Sequence, residues 1–157
     1  MRSDILALAR ARGVMIATAE SCTAGMVAAA LTDLAGSSTI FERGFVTYSN
    51  AAKIDMLGVN PATLEAHGAV SEQVASQMAQ GALAQSAAQL TVALTGIAGP
   101  GGSEHKPEGR VCFGVATAQG PKTHTVEFGA LGRDAVRSAA RDHALALLHQ
   151  ALLEMPK

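Results

Sequence analysis

Three segments of this chain have the residue types and spacing for chemistry on a small polar substrate. The first is Thr18-Ala19-Glu20-Ser21-Cys22-Thr23-Ala24-Gly25, set between the apolar runs 14–17 and 26–31. That pattern reads as a strand, a small polar turn and a helix. Such a junction presents a hydroxyl at the carboxyl end of a strand, beside the N–H groups that a helix start leaves unpaired. Ser21 there can act as a nucleophile, with backbone donors ready for an oxyanion. By itself the segment fits a plain N-cap better, because Ser and Thr are favoured at that position. Cys22 is adjacent, and a thiol at a helix start can be reactive. A cysteine–histidine hydrolase therefore competes, although no histidine segment has a visible tie to this turn.

The second segment is Tyr48-Ser49-Asn50-Ala51-Ala52-Lys53. With Asn50 as N-cap, Lys53 falls in the first turn of a helix, where the partial positive charge of the helix start disfavours an ammonium. That field and burial push a lysine toward neutrality, which suits a general base. Taken alone, a solvated surface lysine is the simpler reading. Tyr48, the only tyrosine in the chain, reads either as a site hydroxyl or as a strand aromatic with its hydroxyl at the rim.

The third segment is Thr95-Gly96-Ile97-Ala98-Gly99-Pro100-Gly101-Gly102-Ser103. Its glycines allow positive φ and let a ligand approach backbone N–H groups, so a phosphate or ribose can be cradled there. A flexible connector is the alternative. The loop is neither a Walker loop, which needs Lys where Gly102 stands, nor a dinucleotide fingerprint, which needs a third Gly at Glu104.

The elements that must position these segments follow from apolar period and punctuation. Helices are expected over 3–12, capped by Ser3, and from Ser21 to near Leu34. Short helices are expected from Asn50 to Gly58 and from Asn60-Pro61 to Gly68, then a longer one capped by Ser71. Strands are expected over 14–18, 44–49 and 90–94. Two more, over 111–117 and 123–128, form a hairpin turning at Gly120-Pro121. A last helix is expected over 133–154, with Val136, Ala140, Ala144, Leu147, Leu148 and Leu152 on its apolar face. This order predicts an α/β fold. It is a three-layer α/β/α sandwich with a mixed, mainly parallel sheet and an antiparallel hairpin. Ligands in such sheets sit at the carboxyl ends of the parallel strands. Ser21, Tyr48 and Gly96 each follow or close one of those strands.

Composition narrows the classes further. The 157 residues suit one domain, 1–157, with a sizeable core. Apolar residues are 48% and charged residues 16%, which argues against disorder. Aromatics are only 3%, so small aliphatic residues must build the core. A net charge of −1 with no basic run argues against a nucleic-acid or polybasic membrane surface. Cys22 and Cys112 make neither a disulfide framework nor a zinc set, and the five histidines lack ligand spacing. No metal and no cofactor are expected. Asp4, Arg10 and Arg12 break any signal-peptide pattern, and the uncharged span 73–103 is too polar for a membrane helix. A soluble cytoplasmic protein is expected.

Read together, the 19–25 segment, Gly44-Phe45-Val46-Thr47-Tyr48-Ser49-Asn50 with Lys53, Gly68-Ala69-Val70-Ser71, and the 95–102 loop occur in one order. This order resembles the CinA C-terminal domain family, the nicotinamide mononucleotide deamidases, over nearly the whole chain. Ala24 departs from the pattern, which has Gly there; its methyl is expected to be tolerated, though it can tighten the pocket. The chain resembles the stand-alone form, without the N-terminal domain that many CinA proteins carry, and nothing belonging to that domain is carried over. The resemblance implies hydrolysis of a nucleotide carboxamide by Ser21, Tyr48 and Lys53, and a homo-oligomer. Glu20, Cys22, Thr23, Gly25, Thr95, Gly96, Ala98, Gly99, Gly101 and Gly102 become candidates for oxyanion or substrate binding. Arg133 and Arg137 become candidates for binding the phosphate or for stabilising transition-state charge, with a slight preference for Arg137 and a surface role open for either. The alternatives are a non-catalytic nucleotide-binding regulatory module and a general amidase.

Overall fold

A computed structural model of the protein describes residues 2–103 and 105–156. The chain runs α1 (Arg2–Arg12), β1 (Ile16–Glu20), α2 (Met26–Leu31), a 3-10 turn (Ser37–Thr39) and β2 (Phe41–Val46). Then come α3 (Asn50–Leu57), α4 (Pro61–His67), α5 (Glu72–Ala84), β3 (Leu90–Gly96), β4 (Arg110–Thr117), β5 (Gly120–Glu127) and α6 (Arg133–Glu154).

The five strands form one sheet in the order β2-β1-β3-β4-β5. β1 pairs parallel with β2 and β3, and β4 pairs antiparallel with β3 and β5. Period-two alternation divides the core between two faces. Leu90, Val92 and Leu94 of β3 join Ile5, Val27, Val136 and Leu148, so α1, α2 and α6 cover one face. Ala19 and Ala93 join Leu57, Leu64, Val74 and Met78, so α3, α4 and α5 cover the other. The α/β/α layering and the mixed sheet are as expected. Small residues set the spacing: a Cβ on Gly81 of α5 would overlap the Leu57 carbonyl oxygen of α3. The connections after β1 and β2 leave toward opposite faces, which opens a crevice at the strands' carboxyl ends.

Several boundaries differ from expectation. Ser3 lies inside α1 rather than capping it, and Arg2 in the first turn pairs with Asp33. β1 runs to Glu20, because its register against β3 continues to Glu20↔Leu94. β2 covers 41–46 rather than 44–49, since its pairing with β1 ends at Val46. Residues 21–25 form turns, and α2 begins only at Met26, because Ala24 (φ 46°) and Gly25 (φ 102°) hold non-helical backbone. α2 also stops at Leu31, short of Leu34.

Ser49, not Asn50, caps α3, its side chain accepting from Ala52 N. β3 extends to Gly96 by pairing with β4. The hairpin turns at Ala118-Gln119, and Gly120 and Pro121 already belong to β5. Pro121 is tolerated there because β5 is an edge strand, and its missing N–H has no ladder partner to serve. The Asn60 cap with Pro61, the Ser71 cap, the Gly58 and Gly68 stops and the bounds of α6 are as expected.

Candidate active site

Ser21 follows the last residue of β1, and its own N–H donates to Leu94 O of β3 at 3.0 Å. Its turn is fixed from below by Glu20. That carboxylate is fully buried and accepts from Thr23 Oγ1 (2.6 Å), Val27 N (2.9 Å) and Ala28 N (3.1 Å). It thereby satisfies the orphan donors at the start of α2. Arg137 of α6 grips the same turn from outside, its Nε donating to Cys22 O at 3.0 Å and a terminal nitrogen reaching Thr23 O at 3.5 Å. The backbone N–H groups of Cys22 and Thr23 find no carbonyl acceptor among the described residues.

Lys53 stands on α3, at the first position whose own N–H bonds back within the helix, to Ser49 O. Helical side chains lean toward the N-terminus. Its amine accordingly reaches Ser21 Oγ at 3.0 Å, Thr47 O at 2.8 Å and Tyr48 O at 3.3 Å. The side chain is 1% exposed. Two of these partners are carbonyls, which only accept. They can hold the two N–H bonds of a neutral amine, which leaves its lone pair facing the Ser21 hydroxyl.

Tyr48 contributes in two ways. Its main-chain oxygen meets Lys53, while its hydroxyl, on a 59% exposed side chain, accepts from Arg133 at 2.9 Å. The other arm of Arg133 donates to Gly99 O at 2.8 Å. Neither Arg133 nor Arg137 forms an ion pair with a described carboxylate.

Burial pushes the Cys22 thiol up to about 11, and a backbone hydrogen bond and the Arg137 charge oppose this only in part. Cys22 is therefore a thiol rather than a thiolate at neutral pH, and no histidine lines the pocket. Among the described residues no group of three or more His, Cys, Asp or Glu side chains is placed to hold a metal ion. Among the described residues no helix is long and apolar enough to cross a membrane.

One cavity of about 390 Å³ brings most of the candidates together. Ser21, Cys22, Tyr48 and Lys53 line one side; Thr95, Gly96, Ala98, Gly99, Gly101 and Gly102 line the other; Arg133 stands on its wall. Glu20, Thr23, Gly25 and Arg137 do not line it. The preference for Arg137 over Arg133 at the substrate side thus meets a different geometry, in which Arg137 is engaged with the turn carbonyls. Asn50, Ala69, Val70, Ile97, Pro100 and Ser103 also line the cavity. Of these, Ala69 and Val70 lie in the Gly68–Ser71 motif, whereas the others carry no separate chemical signal.

The chain matches the CinA C-terminal domain family over residues 1–152. It belongs to that family. It is 54% identical over 146 residues to the nicotinamide-nucleotide amidohydrolase PncC of Escherichia coli K12, covering 92% of this chain and 88% of the relative. The competence/damage inducible protein CihA of Agrobacterium tumefaciens superposes with a TM-score of 0.87 at 49% identity, covering 96% of both chains. The competence damage-inducible protein A of Klebsiella pneumoniae superposes with a TM-score of 0.94 at 36% identity, covering 99% and 96%. In this CinA domain the departure at Ala24 sits at φ 46°, a left-handed conformation that glycine adopts at no steric cost. The Ala24 side chain is exposed and off the cavity. Its methyl therefore bears on the turn rather than on the pocket.

Proposed function

We propose that this chain hydrolyses the carboxamide of nicotinamide mononucleotide to nicotinic acid mononucleotide and ammonia, in pyridine nucleotide salvage. The observation that carries this reading is the 3.0 Å contact between Lys53 Nζ and Ser21 Oγ at one side of a nucleotide-sized pocket. The activity named for the PncC relatives supports the choice of substrate.

Neutral Lys53 takes the Ser21 proton as Oγ attacks the amide carbon, which the cationic pyridinium ring makes electrophilic. The carbonyl oxygen becomes an oxyanion, and the Cys22 and Thr23 amides supply donors for it. The Lys53 ammonium gives its proton to the departing amine, the C–N bond breaks and ammonia leaves. A nicotinoyl ester remains on Ser21. Water then attacks this ester as Lys53 removes its proton, and that proton returns to Ser21 Oγ.

In this reading the loop from Thr95 to Gly102 carries the ribose phosphate. Arg133, held by Tyr48 and Gly99, lends it positive charge. Residues 1–157 act as one domain in the cytoplasm, without a cofactor, as a homo-oligomer. Two buried free cysteines fit a reducing compartment, and the exposed Val46, Met56 and Leu131 offer area for a subunit contact.

An ammonia-release assay with the mononucleotide and a panel of simple amides tests the proposal. Binding without turnover supports a regulatory nucleotide-binding module instead. Equal turnover of simple amides supports a general amidase.

A further inference from the structure

The segment 98–102 makes no backbone–backbone hydrogen bond among the described residues. Such bonds stop at Ile97 on one side and resume at Ser103 on the other. Gly99 and Gly101 both hold positive φ, 93° and 80°. Without a ladder, the shape of this loop depends on side chains that reach it. Two do so. Arg133 donates to Gly99 O, and Glu108 Oε1 accepts from Gly101 N at 2.6 Å. The second Glu108 oxygen accepts from Gly132 N at 3.4 Å, and Gly132 immediately precedes Arg133. The contacts therefore close a ring from Gly101 through Glu108, Gly132 and Arg133 back to Gly99.

We propose that Glu108 is a positioning residue that straps the glycine loop to the start of α6. It holds the loop and Arg133 at the spacing the substrate phosphate requires. This rests on the reading that the loop and Arg133 receive that phosphate. Glu108 does not line the cavity, so it reaches substrate only through what it holds. The packing is specific: a Cβ on Gly99 would lie 2.5 Å from Glu108 Cδ, so the side chain occupies space that only glycine leaves. A carboxylate accepting a backbone N–H is a charge-assisted bond, stronger than the neutral kind. As a bare charge, however, Glu108 repels a phosphate. Strap and charge thus predict opposite effects on binding, and this separates them.

The test compares wild type, Glu108→Ala and Glu108→Gln with the mononucleotide and with nicotinamide riboside, which lacks the phosphate. Amide hydrogen exchange over 98–103 is measured in the same proteins. Glutamine keeps an oxygen for the shorter bond, from Gly101 N, and loses the charge together with the longer bond from Gly132 N. In Glu108→Ala, KM for the mononucleotide is expected to rise about tenfold with kcat within about threefold, the mark of lost binding shared by ground and transition states. Exchange over 98–103 should rise with it. Glu108→Gln, which keeps only the Gly101 arm, should fall between wild type and Glu108→Ala, and the riboside KM should move little in either variant. An unchanged or lower mononucleotide KM in Glu108→Ala overturns the strap. Equal losses on both substrates overturn it too, because they report general loosening. Failure of the phosphate reading appears elsewhere, as equal specificity constants for the two substrates in wild type. Exchange over 98–103 then decides whether the strap exists.

Discussion

Lys53 Nζ meets the backbone carbonyl of Tyr48, while the Tyr48 hydroxyl is turned to Arg133. Main chain and side chain of one residue thus serve opposite sides of the pocket. Tyr48→Phe keeps the first contact and loses the second. Its kcat should fall by less than about tenfold while KM rises. Steady-state kinetics check this, and a thousandfold fall in kcat would put the hydroxyl on the proton path.

Lys53→Met and Lys53→Arg should both lose about a thousandfold or more in kcat, within the range a general base contributes. Arginine stays charged and cannot accept the Ser21 proton. The site is buried, so thermal unfolding must first show that each variant is folded. An active, folded Lys53→Arg removes Lys53 from the role of base.

Cys22 and Ser21 are neighbours with opposite expectations. A thiol pushed up to about 11 favours its protonated form, leaving roughly one thiolate in ten thousand at pH 7. Cys22→Ser should retain activity, whereas folded Ser21→Ala should lose it. Iodoacetamide should label native Cys22 slowly at neutral pH. Fast labelling with loss of activity would reverse the assignment of the nucleophile.

His143 on α6 faces His124 on β5, with Nε2 atoms 2.7 Å apart and Phe113 packed against both rings. Burial first, then the His124 charge, hold His143 below its ordinary value. The unfolded chain therefore binds a proton more readily than the folded one. This contribution to stability is complete above about pH 6.5 and is lost as pH falls toward the lower folded value. The melting temperature should drop between pH 7 and 5.5, and His143→Phe should flatten that slope. An equally steep slope in the variant would place the acid sensitivity elsewhere.

Glu20→Gln should destabilise the protein by about 2 kcal/mol, lowering the melting temperature by roughly 4–8 °C. Glutamine keeps only one oxygen and sets an NH₂ against a backbone donor, where Thr23, Val27 and Ala28 now all find acceptors. A melting temperature unchanged from wild type would mean that the turn reorganises around the amide.

Helical period and capping residues made much of the fold legible. α6 is marked by Val136, Ala140, Ala144 and Leu148, which recur on one face and are all buried. Asn60 with Pro61, and Ser71, announce their helices for local reasons. Strand ends were less visible, because pairing sets them: Glu20 reads as part of a polar turn until its register with Leu94 is known. The candidate residues were legible as types, but their partners were not. No local pattern says that α6 crosses the Ser21 turn, so Arg137 could not be told from Arg133. Glu108 stands alone in a loop, with no period or motif to mark it, and only the folded contacts to Gly101 and Gly132 single it out.

The sheet order separates two tasks along the chain. Ser21 and Lys53 follow β1 and β2, while the glycine loop and Arg133 lie beyond the start of β3. The Ser21 N–H is held by Leu94 O, the residue before the loop segment begins, so the nucleophile's turn is anchored on the pairing of β1 with β3. The rim is therefore exchangeable in principle. A library confined to 97–108 and 129–133 can be screened for amides carrying other anionic groups while the nucleophile and its amine stay untouched. Retargeting of this domain should begin there.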